Sequence, residues 1–304
     1  MEPPDATVVV VTYNALPWLE QCLDSVAGHD LVVVDHGSRD GTLELVRTKR
    51  PDARIVEQQN KGMGGGNNAG MRVAGGRYFF LLNSDAWVVD DGLERLVAYA
   101  DAHPEAAVVG PRLRNTDGTL QRSVRGEPTL WRLATEYLFI RKLAPNSRRL
   151  NPLYAGGFDH DAETEADWLY GPALLVRRAA VDAVGMFDEA FFMFSEEVDW
   201  MTRFRRAGWK VLFFPGAEVV HVGGASHGGL MYVENLRGPL RYFAKHHGPR
   251  AAERVRVLLL WSLRLRSLVL RRAAYREGIR FLSSGNAATL VSRSGAGEAG
   301  ASPP

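Results

Sequence analysis

The first 110 residues alternate short β-branched runs with segments whose apolar positions recur at helical spacing. Thr7–Thr12 (TVVVVT) is apolar at nearly every position, the pattern of a buried strand. Pro17 then opens a helix in which Leu19, Leu23 and Val26 share one face. Leu31–Asp35 (LVVVD) predicts a second strand, followed by the polar turn HGSRDGT, in which Asp40 can cap a helix running through Leu43–Val46. Strands at Arg54–Glu57, Tyr78–Leu82 and Ala107–Val109, and a helix at Leu93–Ala102 that Pro104 ends, continue the alternation. Such a pattern predicts an α/β fold, with a mostly parallel sheet covered by helices on both faces.

From about Asn115 to Asp167 the alternation lapses into a stretch rich in Arg, Pro and aromatics, and regularity resumes from Trp168 through Val222. A long Arg-rich helical segment is predicted over Arg250–Phe281, and residues 283–304 (SSGNAATLVSRSGAGEAGASPP) read as a disordered tail. No internal repeat is present. In an open α/β sheet, ligands sit beyond the carboxyl ends of the strands. That rule singles out Thr12–Asn14, Asp35–Asp40 and Asn83–Asp85.

Composition narrows the class. At 304 residues, 46% hydrophobic and 24% charged, the chain has the make-up of a globular protein. Its single cysteine, Cys22, cannot form an internal disulfide, no His/Cys cluster suggests structural zinc, and a reducing cytoplasm is the natural compartment. The N-terminus MEPPDATVVVVTYN lacks a basic region and carries too short an apolar run for a signal peptide. No apolar stretch reaches the roughly 18 residues of a membrane span, so membrane contact is expected to be peripheral. The net charge of +2 argues against a nucleic-acid partner but hides a split. From Arg237 onward there are 13 Lys and Arg against 3 Asp and Glu, which leaves 24 against 32 before it: about +10 in the tail and −8 in the body.

Four features can carry chemistry. Asn60–Gly70 (NKGMGGGNNAG) has the glycine density of a loop that lets backbone approach a nucleotide or sugar. Its Gly64-x-Gly66-x-x-Ala69 also satisfies a relaxed dinucleotide fingerprint, which keeps an NAD(P)-binding oxidoreductase open. The strand Leu81–Asp85 (LLNSD) ends in an Asn83-x-Asp85 pair; such an acid can reach a divalent cation on a ligand's phosphates, or simply form a turn. In Phe191–Asp199 (FFMFSEEVD) the acids Glu196, Glu197 and Asp199 follow an aromatic wall. A partly desolvated carboxylate suits a general base, whereas acids in a first helical turn also favour the macrodipole, and Asp199 can pair with Arg203. His221, after Glu218-Val-Val and before Gly223-Gly224, could be the second protein ligand that a metal on Asp85 requires.

In order, VVVVTYN, VVVDHGSRDGT, NKGMGGGNNAG, YFFLLNSDAWV, WLYGPALLVRR, VGMFDEAFFMFSEEVDWMTRFRRAGW and PGAEVVHVGGAS resemble the inverting glycosyltransferases of family 2, and in particular their rhamnosyltransferase-like branch. Together they cover most of residues 7–226. The resemblance implies a GT-A fold, the Rossmann-like architecture of nucleotide-diphospho-sugar transferases. It would divide the chain into a catalytic domain over 1–236, with donor and acceptor halves meeting near 112, and a helical extension over 237–282. By position, Asp35 would hydrogen-bond the donor's pyrimidine base, with Thr12 and Asn14 beside it. The Gly64–Asn67 loop and Asn83 would border the nucleotide diphosphate and sugar, and Asp85 and His221 would hold Mg²⁺ or Mn²⁺. Glu197 would be the catalytic base, with Glu196 and Asp199 as alternatives. The sequence departs from the family pattern at His36, where Asn is usual, at Ser84, where Pro is common, and at Glu197, where the family usually has Asp.

The implied substrates are a dTDP- or UDP-sugar, with dTDP-rhamnose preferred, and a glycan or polyprenyl-diphosphate-linked acceptor in cell-wall or surface-polysaccharide synthesis. In Arg250–Phe281, Trp261, Leu265 and Leu268 follow i, i+4, i+7, while Arg264 and Arg271 stack seven apart on another face. Such a helix can lie on an anionic membrane at the cytoplasmic face, or pack against the acidic body. A non-catalytic membrane-associated scaffold of the same fold is the remaining alternative.

Overall fold

The computed structural model describes residues 4–223, 229–270 and 272–292. Its first half follows the sequence pattern closely. β1 (Ala6–Thr12), α1 (Leu16–Ser25), β2 (Asp30–Asp35), α2 (Thr42–Lys49), β3 (Arg54–Glu57), α3 (Gly62–Val73) and β4 (Tyr78–Asn83) give four parallel strands joined by helices. The edge strand β5 (Ala86–Val88), α4 (Gly92–Ala102) and β6 (Ala106–Arg114) follow. The expected cap sits one residue off: Gly41 occupies the N-cap of α2, and Asp40 instead takes bonds from the Thr42 and Leu16 amides.

The irregular stretch holds only short elements: β7 (Leu120–Gln121), β8 (Val124–Arg125), α5 (Leu130–Tyr137) and β9 (Thr164–Glu165). Next come β10 (Trp168–Leu169), β11 (Ala173–Arg177), α6 (Arg178–Val184), α7 (Glu196–Arg206) and β12 (Lys210–His221). The main sheet runs β3-β2-β1-β4-β11-β6-β12-β5, with β11 and β5 antiparallel to their neighbours. Register aligns the carboxyl ends that matter, since Thr12 pairs with Asp35 and Val11 with Asn83.

Alternation along β1 divides the core. Val8 and Val10 pack with Leu19, Leu23 and Leu96 on one face; Val9 and Val11 pack with Phe79, Trp200 and Phe204 on the other. The glycine-rich segment is not the loop that its composition predicts. It forms α3, and its glycines serve helix–sheet contact: a Cβ on Gly66 would meet Val11 Cγ1 at 2.6 Å and one on Gly70 would meet Val9 Cγ1 at 2.3 Å. The dinucleotide reading fails for the same reason, because Gly64 and Gly66 lie inside a helix that follows the third strand.

The C-terminal region is also more structured than its sequence predicts. α8 (Gly229–His247) spans the expected 236/237 boundary without a break, and the single Arg-rich helix is two, α9 (Pro249–Val269) and α10 (Ala273–Ser283), which part at Leu270. Residues 283–292 are ordered: α11 (Ala287–Ser292) buries Ala287 and Leu290, because its apolar face completes a third core. That core joins Leu133 of α5, Val198 of α7, Leu240 of α8, Leu259 and Leu263 of α9, and Leu282 of α10. The readings that fall on Gly224, Arg271 and 293–304 lie outside the described residues.

Candidate active site

A cavity of about 320 Å³ opens at the carboxyl ends of β1 and β4. Its wall includes Asn14, Asn67, Asn83, Asp85, Glu196, Glu197 and His221, so most of the residues singled out by sequence converge there. Thr12, Asp35 and Gly64 stand outside the wall. Asp35 is 1% exposed and accepts bonds from the Gly37 and Ser38 amides at 2.8 and 2.9 Å and from the hydroxyls of Thr12 and Ser38. It orders the turn on which Asn14 is held, through Ser38 and the Arg39 amide. Gly64 packs against Phe187.

β12 ends where β5 begins. The pairing of His221 with Ala86, and the bond from the Val222 amide to the Asp85 carbonyl (3.0 Å), set the imidazole against the carboxylate. His221 Nε2 stands 3.4 Å from Asp85 Oδ1. Its Nδ1 lies 2.8 Å from Gln121 Oε1, a partner that the sequence did not reveal. The Gln121 amide nitrogen donates to Asn115 Oδ1, which fixes its oxygen as acceptor for an Nδ1–H. In the Nδ1–H tautomer, Nε2 would turn a lone pair toward an anionic oxygen, a geometry that favours a cation between them. Among the described residues no group of three or more His, Cys, Asp or Glu forms a metal site. Further ligands would come from substrate phosphates and water, a common arrangement for Mg²⁺.

α7 begins in a strained turn. Phe194 and Ser195 have φ of +65° and +69°, conformations that cost a non-glycine residue about 1–3 kcal/mol each. Gly238 of α8 seats that turn: a Cβ there would lie 2.7 Å from both the Phe194 carbonyl and the Ser195 Oγ. Glu196 and Glu197 follow it into the cavity wall, each with a buried Oε2 that lacks a hydrogen-bond partner. A helix N-terminus favours ionised carboxylates, but burial wins here. It pushes Glu197 up to about 7, and with the charge of Glu197 it raises Glu196 well above the usual carboxylate range.

Asp199 is a different kind of acid, and the structure removes it as a candidate base. It is wholly buried and bonded to Arg203 (2.9 Å), His246 (2.7 Å) and Lys245 (2.8 Å). Burial alone would raise its pKa, but these three partners outweigh it and hold the carboxyl at about 2. The expected i, i+4 pair with Arg203 is present.

A second cavity, of about 420 Å³, lies on the other side of Glu197. It shares Tyr170, Phe194 and Glu197 with the first and is walled by α5, α8 and α9 together with Arg125, Tyr154 and Trp168. Glu197 thus stands between two chambers, whereas Glu196 faces only the first. Sequence reasoning missed Arg125 and Tyr154 because they lie where periodicity lapses; the density of Arg and aromatics was the only signal.

A parallel βα half, an Asp–His pair at the strand ends and a carboxylate with an unpartnered buried oxygen between two cavities fit a group-transfer enzyme of the GT-A type. Residues 7–159 match the model of glycosyl transferase family 2, and the chain belongs to that family. Among its relatives, the N-acetylglucosaminyl-diphospho-decaprenol L-rhamnosyltransferase of Mycobacterium tuberculosis (strain ATCC 25618 / H37Rv) is 31% identical over 311 residues, spanning 90% of this chain and 95% of that one. Succinoglycan biosynthesis protein ExoO of Rhizobium meliloti (strain 1021) is 38% identical over 107 residues, 33% of this chain and 30% of its own. Two solved structures share the fold. The mannosyltransferase PcManGT from Pyrobaculum calidifontis, in complex with GDP-Man and Mn²⁺, superposes with a TM-score of 0.55 at 16% identity, over 96% of this chain and 87% of that one. S. aureus TarS in complex with UDP-GlcNAc gives 0.52 at 15% identity, over 92% and 76%. The chain is therefore a GT-A glycosyltransferase, similar over nearly its whole length to a rhamnosyltransferase.

Proposed function

We propose that the protein transfers rhamnose, with inversion, from dTDP-rhamnose to a hydroxyl of an amino sugar carried on a polyprenyl diphosphate. The observation that carries this reading is the carboxylate of Glu197 between two cavities, with a buried Oε2 that lacks a hydrogen-bond partner. Donor in the first cavity and acceptor in the second would meet at Glu197, the base that takes the proton of the attacking hydroxyl. The rhamnosyl group and the lipid-linked acceptor are carried over from the similarity to the mycobacterial N-acetylglucosaminyl-diphospho-decaprenol L-rhamnosyltransferase. Asn14, Asn67 and Asn83 offer polar groups to the nucleotide diphosphate and sugar from the first cavity's wall. Thr12 and Asp35 would act mainly by holding the turn; contact between Asp35 and the base would require it to exchange one of its present bonds.

Asp85 and His221 fit a divalent cation, Mg²⁺ or Mn²⁺, since one presents a carboxylate and the other an oriented Nε2 lone pair. Such a cation, when bound, offsets charge developing on the leaving diphosphate. With Glu197 as the one base assigned and no side chain assigned as nucleophile, direct displacement with inversion is the expected course.

The same reading sets the enzyme peripherally on the anionic inner face of the cell membrane. Trp261, Leu265 and Leu268 are 56%, 53% and 80% exposed along α9, and the Arg264 guanidinium lies 5.3 Å from the Trp261 ring centroid. Exposed Arg250, Arg254, Arg272, Arg276 and Arg280 add positive charge to this region, as lipid-surface helices require. Among the described residues no helix is long and apolar enough to cross a membrane.

The decisive test is Glu197→Gln. Turnover should fall by at least about 10²-fold, while calorimetric affinity for the sugar nucleotide with Mn²⁺ stays within a factor of two or so of the parent. Retained turnover would move the base to Glu196.

A further inference from the structure

The second cavity is lined by an arginine whose guanidinium makes no ion pair among the described residues. The side chain of Arg125, at the end of β8, makes no hydrogen bond or ion pair among the described residues, and its Nε is buried without a partner. Its guanidinium lies 3.8 Å from the Tyr154 ring centroid, 5.9 Å from that of Trp168 and 5.8 Å from that of Tyr170. Aromatic faces stabilise such a cation only in part. An uncompensated buried charge is costly, and burial accordingly lowers the Arg125 pKa. The nearby carboxylate of Glu136 is already paired with Arg141. Arg266 of α9 brings a second guanidinium to the same wall; it donates to the carbonyls of Glu136 and Tyr137 at 3.2 and 2.6 Å, and its Nε is likewise buried without a partner. The cavity therefore sets two guanidiniums beside an aromatic wall, with Arg125 near enough for its charge to act on Glu197.

We infer that this chamber recognises the diphosphate of the acceptor, with Arg125 as its specificity-determining residue and Arg266 as a second anion contact contributed by the C-terminal helices. The inference rests on the transferase reading above and adds to it which group of the acceptor is read, and by which side chains. A guanidinium suits the task because its planar fork pairs with phosphate oxygens, and the rings around it offer a face to the adjoining sugar.

A diphosphate could also come from the donor, so the test separates the two sources. The full chain, in EDTA, is titrated by calorimetry with three probes: N-acetylglucosaminyl diphosphate on a short soluble prenyl chain, the same sugar as a neutral prenyl glycoside, and dTDP. The diphosphate glycoside should bind at least tenfold more tightly than the neutral one. Arg125→Gln should abolish that preference, Arg125→Lys should restore part of it, and dTDP affinity should stay constant across all three proteins. Arg266→Gln should reduce the preference independently, which covers the case in which Arg125→Gln folds poorly. A preference that survives in a folded Arg125→Gln variant overturns the inference, as does equal binding of the two glycosides or a loss confined to dTDP. The titration needs no turnover. Failure of the transferase reading would show separately, as absence of sugar-nucleotide binding in the presence of Mn²⁺.

Discussion

With a pKa near 7, Glu197 is poised between its two ionisation states at neutral pH, which makes both turnover and stability respond to pH. The proposed base must be ionised to act, so kcat/KM should rise through about pH 7 and then level; a flat profile there would speak against that role. For stability the sign is opposite. The ordinary carboxyl titrates near 4.5, so the folded state holds this proton more tightly and stability falls as pH rises from about 4.5 to about 7. Glu197→Gln removes that loss. In thermal melts the variant should gain on the parent as pH rises to 7, and a gap that does not vary with pH would exclude Glu197 as its source. Gln121→Ala tests the His221 tautomer: Mn²⁺ affinity, measured with nucleotide present, should drop roughly 10- to 100-fold. An unchanged affinity would separate Gln121 from the proposed cation site. The meeting of Asp85 and His221 was legible in the sequence because each lies at or just past the end of an apolar strand. Gln121 was not, because its role depends on a two-residue strand that only the sheet brings beside His221. Asp199 shows the converse: its partners His246 and Lys245 are too distant in sequence for spacing to reveal.

At the scale of elements, α3 shows how composition can mislead. Five glycines in nine residues look like a loop, yet the sheet needs them to bring the helix close. Gly70→Ala should therefore destabilise the protein by about 1–3 kcal/mol in urea unfolding through overpacking against Val9, even though alanine is the better helix former by about 1 kcal/mol. A stabilised variant would show that the contact relaxes freely. α9 illustrates periodicity read correctly but incompletely. The stripe Trp261, Leu265, Leu268 is exposed, but a second apolar stripe, Val255, Leu259 and Leu263, is fully buried in the third core. The two faces make separable predictions. Trp261→Glu with Leu268→Glu should weaken sedimentation with anionic vesicles several-fold at an unchanged melting temperature, whereas Leu263→Ala should cost about 2–5 kcal/mol of stability. Equal vesicle binding by the double variant and the parent would remove this stripe from membrane contact.

Across the whole molecule, the first half was legible because parallel βα units announce themselves locally, through apolar runs and helical spacing. The middle was not, because β7, β8, β9 and β10 are two residues each and gain their meaning from long-range pairing. The acidic body and basic tail are likewise less separate than their charges suggest: α5, α7, α8 and α9 share one core, and the tail's helices wall the second cavity. On α9, Arg266 turns inward to that cavity while its neighbour Leu265 stands exposed, a separation of no more than the roughly 10–12 Å diameter of a helix. An enzyme resting on that outer face would search for its acceptor in two dimensions. Its rate should then follow the mole fraction of acceptor within the bilayer, so that diluting the vesicles with inert lipid slows turnover even when the bulk acceptor concentration is held fixed.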